Sequence, residues 1–426
     1  QYRNKYWDGK IKLFNLNKGE IYAGLIHRIQ TFCEEYDYSF EFENSKFFGL
    51  PYEENDMVSY EGVKEYINKI TNFKPRDYQI EGIYDALRCN RRLIVSPTGS
   101  GKSLMIYALS RYHAEQNKKV LIVVPTTSLV EQMYKDFYEY GWDVKTNCHR
   151  IYAGKDLFSK APVIISTWQS LYKQDKKWFR NFSCVIGDEA HQFKSKSLMS
   201  IMTKLDGAKY RYGFTGTLDG SQTHKWVLEG LFGSSYKIVN TKDLQEAGYL
   251  AKLNIKVLIL KHDPQEFEVY EDEIKYLISH ERRNKFIKNL VHDLKGNTLV
   301  LYSRVATHGQ ILFDLINTNS RRVFFVHGGV DTEERETVRQ IAESENNAII
   351  VASFGTFSTG INIKNLHNVV FSSPSKSRIR TLQSIGRVLR KGDAKVKATL
   401  YDIADDCKKG SKQNYTLNHL IERIKY

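Results

Sequence analysis

The stretch Ser96–Ser103, with the sequence SPTGSGKS, decides how the first half of the chain folds. It follows the apolar run Leu93–Val95 and precedes a segment of helical character at residues 102–116. It fits the pattern G-x-x-x-x-G-K-[ST], except that Ser96 stands in place of the first glycine. A strand, a glycine-rich loop and a helix in this order aim backbone N–H groups and the positive helix end at a phosphate. The competing interpretation is a Gly/Ser turn that binds nothing.

Each residue type in the loop suits a nucleotide. Gly99 and Gly101 permit a tight path, the Lys102 ammonium can reach the β- and γ-phosphates, and the Ser103 hydroxyl can ligate Mg²⁺. We therefore expect ATP and Mg²⁺ as ligands. The loop residues expected around the nucleotide are Pro97, Thr98, Gly99, Ser100, Gly101, Lys102 and Ser103.

Short β-branched runs alternate with helical stretches in two groups, which is typical of parallel α/β sheets. The runs are residues 93–95, 120–124, 163–166, 184–187 and 212–215, then 298–303, 323–326, 348–352, 369–372 and 399–403. We predict an α/β fold with two tandem domains, at residues 71–238 and 239–426. Residues 1–70 predict a small α+β accessory domain, with strands at residues 11–14 and 38–42 around a helix at residues 22–35.

Composition limits the function classes. The 426 residues carry a net charge of +14, which suits a polyphosphate partner such as DNA and suits a solvated basic surface equally well. No window approaches the roughly 20 apolar residues of a membrane span, so we expect no membrane partner. The five cysteines lack zinc-ligand spacing, so we expect no structural zinc. The chain begins at Gln1, and we expect native residues before it.

Two further groups of residues supply what an ATPase requires. The apolar strand Val185–Gly187 ends in Asp188 and Glu189, where Asp188 would hold Mg²⁺ and Glu189 would orient the attacking water. Alone, this pair would also suit an exposed turn. In a helix, Gln383, Arg387 and Arg390 share one face, and the two guanidinium groups can stabilise charge on a transferring phosphoryl group. A DNA-facing basic helix is the alternative. We expect ATP at the cleft between the two α/β domains.

Together these blocks resemble the motifs of superfamily-two helicases, whose two domains are RecA-like. The segment 73–79 is similar to the Q motif, so Gln79 is implied as the reader of the base, with Phe73 or Arg76 stacking. The residues 188–191 match the DEAH form of motif II. The segment 213–217 resembles motif III. The resemblance implies that His191, Thr215 and Thr217 couple the ATP site to the bound nucleic-acid strand.

The same resemblance implies which residues contact the nucleic acid. Hydroxyls and backbone amides suit these positions because they contact phosphates without reading sequence. Trp168 could stack on a base, although we favour core packing for it. In a block similar to motif V, Gly360 and Asn362 are implied at the nucleotide, with Asn362 where Asp is usual. The implied strand contacts are Thr126, Thr127, Thr167, Trp168, Gln169, Ser303, Arg304, Gly328 and Thr356.

A narrower resemblance comes from the segments YWDGKIKL at residues 6–13, FSTGI at 357–361 and IGRVLRK at 385–391. They are similar to the bacteriophage UvsW family of recombination and branch-migration helicases. This resemblance implies an ATP-dependent DNA helicase that remodels forks, Holliday junctions and displacement loops in the host cytoplasm. It also implies that residues 1–70 form an accessory DNA-binding domain, and a monomer is compatible with this activity.

Of four alternative functions, two stay open and two are disfavoured by the sequence. A duplex translocase that does not separate strands shares every ATP-site motif, and an RNA helicase shares the phosphate-directed ones. The motor subunit of a restriction system is disfavoured, because few residues follow the last predicted strand. A DNA-binding scaffold without catalysis is disfavoured because Lys102, Asp188, Glu189, Arg387 and Arg390 are all present.

Overall fold

A computed structural model describes most of the chain, and its residues divide into two compact units, Gln1–Asn240 and Thr241–Tyr426. No helix in the described part of the chain combines the length and apolar character needed to cross a membrane. The described residues are 11–43, 58–152, 156–318, 320–360, 363, 365–373, 377, 381–382, 384–386, 389 and 397–425.

Among the described residues, the first unit holds a seven-stranded sheet in which every pairing is parallel. The strand order is β5-β6-β4-β7-β8-β3-β9. The strands are β3 (Arg91–Val95), β4 (Val120–Val124), β5 (Cys148–Ile151), β6 (Val163–Thr167), β7 (Cys184–Asp188), β8 (Tyr210–Thr215) and β9 (Ser235–Lys237).

Helices cover both faces of this sheet. The helices are α1 (Ile26–Glu35), α2 (Tyr60–Ile70), α3 (Asp77–Cys89), α4 (Lys102–Glu115), α5 (Thr127–Glu139), α6 (Val144–Asn147), α7 (Trp168–Leu171), α8 (Lys176–Phe179), α9 (Lys196–Lys204) and α10 (Gln222–Phe232). Strand β4 shows why the run VLIVV forms a central strand: all five residues are buried, and successive side chains enter opposite cores. Ile122 packs with Met105 of α4 on one face, whereas Val123 shares the other core with Phe232 of α10.

Within the first unit, the N-terminal segment packs against α10. A two-residue hairpin, β1 (Phe14–Asn15) and β2 (Glu20–Ile21), leads into a 3-10 turn at Ala23–Leu25 and then α1. Gly24 lies so close to α10 that a Cβ there would stand 2.1 Å from the Glu229 carbonyl oxygen. Helix α2 shares the core of the parallel sheet through Val63, Ile67 and Ile70.

The predicted strand at residues 38–42 is wrong, because these residues form neither helix nor strand. Their aromatic side chains pack locally instead: the Tyr38 ring stacks on Phe32 of α1 at 5.9 Å, and Phe40 contacts Phe42 at 5.1 Å. At residues 11–14 only Phe14 enters a strand, and the predicted helix at 22–35 begins as a 3-10 turn and becomes α-helical at Ile26.

The second unit repeats the architecture. Its described residues form a six-stranded sheet in the order β10-β15-β14-β11-β13-β12, again with parallel pairing throughout. The strands are β10 (Lys252–Lys261), β11 (Thr298–Tyr302), β12 (Val323–Val326), β13 (Ile349–Ser353), β14 (Asn368–Phe371) and β15 (Lys397–Asp406). The helices are α11 (Thr241–Glu246), α12 (Tyr270–Ser279), α13 (Glu281–Asp293), α14 (Gln310–Ile316), α15 (Thr332–Ser344), α16 (Phe354–Gly360) and α17 (Tyr415–Ile424). The prediction of two tandem parallel α/β domains is confirmed.

Candidate active site

The loop between β3 and α4 has the conformation of a phosphate cradle. Gly99 and Gly101 have φ values of +85° and +83°, which L side chains rarely adopt. Ser96, in the place of the first glycine, is fully buried, and its backbone N–H donates to the Thr215 carbonyl at 2.9 Å. The Ser100 hydroxyl donates to the Pro97 carbonyl at 2.6 Å, so the hydrogen bond between the Ser96 and Ser100 hydroxyls has Ser96 as donor. The buried Ser96 therefore links the start of the loop to Ser100 and to the end of β8.

Lys102 begins α4, directly after the glycine-rich turn. Its Nζ donates to the Ser96 carbonyl at 3.2 Å, so the ammonium is folded back over the loop. A Cβ at Gly216, in the loop after β8, would lie 3.7 Å from both Nζ and the Thr98 hydroxyl oxygen. The loops after β3 and β8 thus meet around the lysine that is predicted to bind phosphate.

Ser103, the predicted Mg²⁺ ligand, has a protein partner. Its hydroxyl forms a 2.7 Å hydrogen bond with the hydroxyl of Tyr140, whose pKa is raised chiefly by burial. The Tyr140 ring meets Phe73 edge-on at 5.6 Å, and Phe73 is half exposed. Mg²⁺ prefers oxygen ligands and is usually bound by carboxylates together with phosphate oxygens and waters. The hydroxyl of Ser103 and the carboxylate of Asp188 are therefore chemically suitable ligands for it. Within the described ranges, no three His, Cys, Asp or Glu side chains group as a metal-binding cluster.

Gln79 ties the start of α3 to the phosphate loop. Its Oε1 accepts the Arg76 backbone N–H at 2.9 Å, and its Nε2 donates to the Ser100 carbonyl at 2.8 Å. The side chain is buried, and a Cβ on Gly101 would stand 2.2 Å from Nε2. Arg76 donates to the Tyr78 hydroxyl at 2.6 Å, and Tyr78 in turn donates to the Ser100 carbonyl at 2.9 Å. The segment predicted to read the base therefore also holds the loop in shape.

The two predicted acids lie at the carboxyl end of β7, next to β8 in the sheet. The Asp188 Oδ1 accepts the Glu189 backbone N–H at 2.9 Å. Glu189 has a φ of +51°, a left-handed conformation that is uncommon outside glycine and is frequent at functional sites.

His191 and Thr215 connect the acids to the loop after β8. The Thr215 hydroxyl donates to the Thr217 carbonyl at 3.0 Å, so it accepts the Nδ1–H of His191 at 3.1 Å. Burial, the largest cause, lowers the pKa of His191, although Glu189, whose Oε2 lies 3.4 Å from Nδ1, acts to raise it. A neutral imidazole with its proton on Nδ1 therefore bridges Glu189 and Thr215.

The nucleic-acid contacts predicted for the first unit lie at or just after the carboxyl ends of β4 and β6, at this same sheet edge. Thr126 caps α5, where its hydroxyl accepts the Leu129 N–H at 3.4 Å, and Thr127 is the first residue of that helix. Thr167 is buried, with its hydroxyl 3.0 Å from the Ser170 hydroxyl. Gln169 is exposed and donates to the Pro125 carbonyl at 3.3 Å.

Trp168 begins α7 and packs partly buried against the core that contains Phe193. Its ring lies 6.2 Å from that of Tyr172. This packing agrees with the core interpretation favoured from the sequence.

The predicted contacts of the second unit also follow strand ends. Ser303 donates its N–H to the Ser373 hydroxyl at 3.1 Å, and Arg304 pairs with Glu271. Gly328 follows β12 in open space, and the buried Thr356 hydroxyl lies 2.8 Å from that of Ser353. Gly360 is the last residue of α16. Asn362, Gln383, Arg387 and Arg390 lie outside the described residues.

Two tyrosines at the site escaped the sequence analysis. Tyr78 and Tyr140 hold the Ser100 carbonyl and the Ser103 hydroxyl. Tyr78 adjoins Gln79, so its position in the Q-motif segment was a usable signal. Tyr140 lies 37 residues after Ser103, and nothing local connects them.

The chain is similar to known protein families and to individual known proteins. Residues 72–220 match the family described as "Type III restriction enzyme, res subunit", and residues 281–392 match the "Helicase conserved C-terminal domain". The chain is 35% identical to the "ATP-dependent DNA helicase uvsW" of Enterobacteria phage T4, over all of this chain and 89% of that protein. The crystal structure of T4 UvsW aligns over 100% of this chain and 89% of that chain, with 33% identity and a TM-score of 0.50.

A more distant relative is the "DNA 3'-5' translocase XPB2" of Sulfurisphaera tokodaii, 26% identical over 75% of this chain and 79% of that protein. Two RecA-like units with a P-loop and paired acids define a superfamily-two helicase. Within that class the chain belongs to the UvsW family, and it is an ATP-dependent helicase.

Proposed function

We propose that the protein is a DNA helicase that remodels branched DNA, namely forks, Holliday junctions and displacement loops, in the host cytoplasm. The observation that carries this proposal is the 35% identity, across the whole chain, to a helicase whose name specifies DNA. The net charge of +14 supports a polyphosphate substrate.

In this proposal the loop residues 97–103 bind the phosphates of ATP, and Lys102 exchanges its bond with the Ser96 carbonyl for a phosphate oxygen. This exchange is reasonable because the present 3.2 Å bond is to a neutral carbonyl, whereas a phosphate offers a charge-assisted partner. When bound, Mg²⁺ neutralises charge on the β- and γ-phosphates. Ser103 and Asp188 are the residues that would hold it.

Glu189 is the proposed base for the attacking water. Its backbone adopts a left-handed conformation directly after β7, and its Oε2 lies 3.4 Å from the Nδ1 of His191. Phe73, Arg76 and Gln79 surround the base in this proposal. In the same proposal, Arg387 and Arg390, together with Gln383, stabilise the negative charge that develops on the transferring phosphoryl group.

The DNA contacts proposed from the sequence are hydroxyls, amides and one guanidinium group at the ends of β-strands. Thr126 and Thr127 follow β4, Thr167 ends β6, and Gln169 follows it. Ser303, Arg304, Gly328 and Thr356 follow strands β11 to β13. These groups suit phosphates, so they hold a strand without regard to its sequence. His191, Thr215 and Thr217 lie between the acids and the P-loop, which suits coupling.

The test is a strand-release assay at one salt concentration on a labelled fork, a four-way junction, a plain duplex and an RNA duplex of equal length. We expect ATP-dependent release or branch movement on the fork and junction, little on the plain duplex and little on RNA. Faster release on RNA than on forked DNA would contradict the proposal.

The second candidate is a duplex translocase that moves without separating strands, which the similarity to the XPB2 translocase favours. It predicts ATP hydrolysis stimulated by plain duplex and displacement of a bound triplex strand, with no release from the fork. The same substrates therefore distinguish the two functions.

A further inference from the structure

Tyr140 is hydrogen-bonded to the serine that is proposed to bind Mg²⁺. Its hydroxyl lies 2.7 Å from that of Ser103, the second residue of α4. A serine in a helix can also turn its hydroxyl towards solvent or towards a backbone carbonyl one turn earlier. The bond to Tyr140 opposes both alternatives, so it holds the Ser103 hydroxyl in one direction.

The backbone of Tyr140 is fixed by the way in which α5 ends. Tyr140 follows the last residue of the helix, and Gly141 after it has a φ of +95°. The Gly141 N–H donates to the Tyr138 carbonyl at 3.0 Å, and the Trp142 N–H donates to the Phe137 carbonyl at 3.2 Å. This pair of bonds around a left-handed glycine is the Schellman motif. The position from which the Tyr140 side chain extends is therefore set by the helix end.

The ring of Tyr140 is held by two other aromatic rings. It lies 5.2 Å from the ring of Tyr107, which is completely buried, and meets Phe73 edge-on at 5.6 Å. Tyr107 is itself fixed, because its hydroxyl donates to the Ile70 carbonyl at 2.6 Å. Burial is the largest cause that raises the pKa of Tyr140, so its hydroxyl stays protonated. Ser103 thus has a neutral partner in a fixed place.

A neutral hydroxyl partner is compatible with metal binding by Ser103. A serine hydroxyl has one proton and two lone pairs, so one hydrogen bond leaves at least one lone pair for a cation, whichever atom donates. A bound divalent cation withdraws charge from the oxygen and strengthens the O–H group as a donor. The Tyr140 oxygen can accept that proton in a hydrogen bond, because a phenol is both donor and acceptor.

We propose that Tyr140 is a positioning residue, which holds the Ser103 hydroxyl in the orientation that binds the Mg²⁺ accompanying ATP. The inference rests on the proposed nucleotide site and adds to it a residue 37 positions beyond Ser103. Because Tyr140 acts through a metal ligand, it should affect only the part of the nucleotide affinity that depends on the ion.

The test measures the affinity for a fluorescent, non-hydrolysable ATP analogue twice, in excess Mg²⁺ and in EDTA. The ratio of the two affinities is here called the Mg²⁺ gain. Tyr140→Phe removes the hydroxyl and keeps the ring, so we expect the Mg²⁺ gain to fall about fivefold, the effect of one lost hydrogen bond. The affinity in EDTA should stay within about twofold of wild type, because the loop itself is unchanged.

Tyr107→Phe is the matched control. It makes the same chemical change in the neighbouring ring, but the Tyr107 hydroxyl contacts the Ile70 carbonyl and Arg111 rather than Ser103. We expect the Mg²⁺ gain of Tyr107→Phe to equal that of wild type. A fivefold loss in this control as well would overturn the inference, because the effect would then follow from general loosening of the aromatic cluster.

A double-mutant cycle shows whether Tyr140 acts through Ser103. Ser103→Ala removes the hydroxyl that Tyr140 holds, so adding Tyr140→Phe to Ser103→Ala should change the Mg²⁺ gain by less than about twofold. The same fivefold fall in both backgrounds would overturn the inference, since Tyr140 would then affect the ion without Ser103.

The remaining outcomes also decide the matter. Equal losses of affinity in Mg²⁺ and in EDTA would give Tyr140 a structural role in the loop and overturn the inference. A higher Mg²⁺ gain in Tyr140→Phe would overturn it too, because Tyr140 would then withhold the hydroxyl from the ion. A full Mg²⁺ gain in Ser103→Ala would instead refute the proposed Mg²⁺ ligand, and the inference with it.

Discussion

Replacing Glu229 with Gln should release the N-terminal segment from α10. The Glu229 side chain is only 2% exposed, and its Oε2 lies 3.0 Å from Arg28 and 3.5 Å from His27. Its Oε1 accepts the backbone N–H and the hydroxyl of Ser235 at 3.2 and 2.8 Å. One buried carboxylate thus joins α1, α10 and β9, so its charge is central to the packing of the segment.

The magnitude follows from the pKa of this carboxyl group. Burial alone would raise it, but the hydrogen bonds with His27, Arg28 and Ser235 outweigh burial and lower it from 4.5 to about 2. At about 1.36 kcal/mol per pH unit, this difference corresponds to about 3 kcal/mol. Because the folded pKa is lowered, this stability is present above pH 4.5 and is lost as the pH falls through about 2. By pH 3, about 2 kcal/mol of it is lost.

Hydrogen exchange of peptides covering residues 22–35 and 222–232 measures the effect. At pH 7 we expect Glu229→Gln to reduce protection by about 100- to 300-fold, and at pH 3 the difference from wild type shrinks to about 1 kcal/mol. The control is Glu139→Gln, whose half-exposed side chain lies 3.8 Å from Lys135 and should change stability by less than about 0.5 kcal/mol. Equal protection in Glu229→Gln and wild type, or a difference independent of pH, would refute the reasoning.

Two further changes test other parts of the structure. Thr215→Val removes the hydroxyl that accepts the His191 proton. We expect ATP hydrolysis without nucleic acid to persist, whereas the stimulation of hydrolysis by forked DNA falls about tenfold. Loss of both the basal and the stimulated rate of hydrolysis would contradict a coupling role. Glu273→Gln should destabilise α17 by about 3 kcal/mol in hydrogen exchange, because the buried carboxylate accepts hydrogen bonds from Asn414, Tyr415 and Thr416. The control is Glu266→Gln, at an exposed carboxylate. Equal protection of α17 in the two variants would contradict a stabilising role for Glu273.

The loop and the acids were predictable because each is a contiguous segment that needs only its own neighbours. Ser96–Ser103 contains the glycines that its backbone requires, and the strand before Asp188 is buried on both faces, so its sequence is a continuous apolar run. Two such groups of strands sufficed to predict both sheets.

The edge strands were not predictable in the same way. β5, with the sequence CHRI, buries only its two end residues, and β9 has three residues that are not buried. β9 pairs with β3, which lies far away in sequence, and β5 pairs with β6, the next strand along the chain. At Tyr38–Phe42, by contrast, a strand was predicted that does not form. The alternating pattern there has no neighbouring strand to pair with among the described residues.

At the site, residue identity was predictable but the contacts were not. A sequence can suggest that Gln79 belongs to the nucleotide site, yet its bond to the Ser100 carbonyl depends on how α3 packs beside the loop. The Ser103–Tyr140 pair likewise arises because α5 ends beside α4. Such contacts depend on tertiary packing, which local patterns do not encode.

The measurement that tests the central claim most directly is ATP hydrolysis by Lys102→Ala in the presence of forked DNA, with fork binding measured on the same preparation. The protein as described predicts a loss of at least about 100-fold in stimulated hydrolysis, because the ammonium that would meet the phosphates is gone, with fork affinity close to wild type. Hydrolysis at the wild-type rate in Lys102→Ala would contradict an ATP site at Ser96–Ser103.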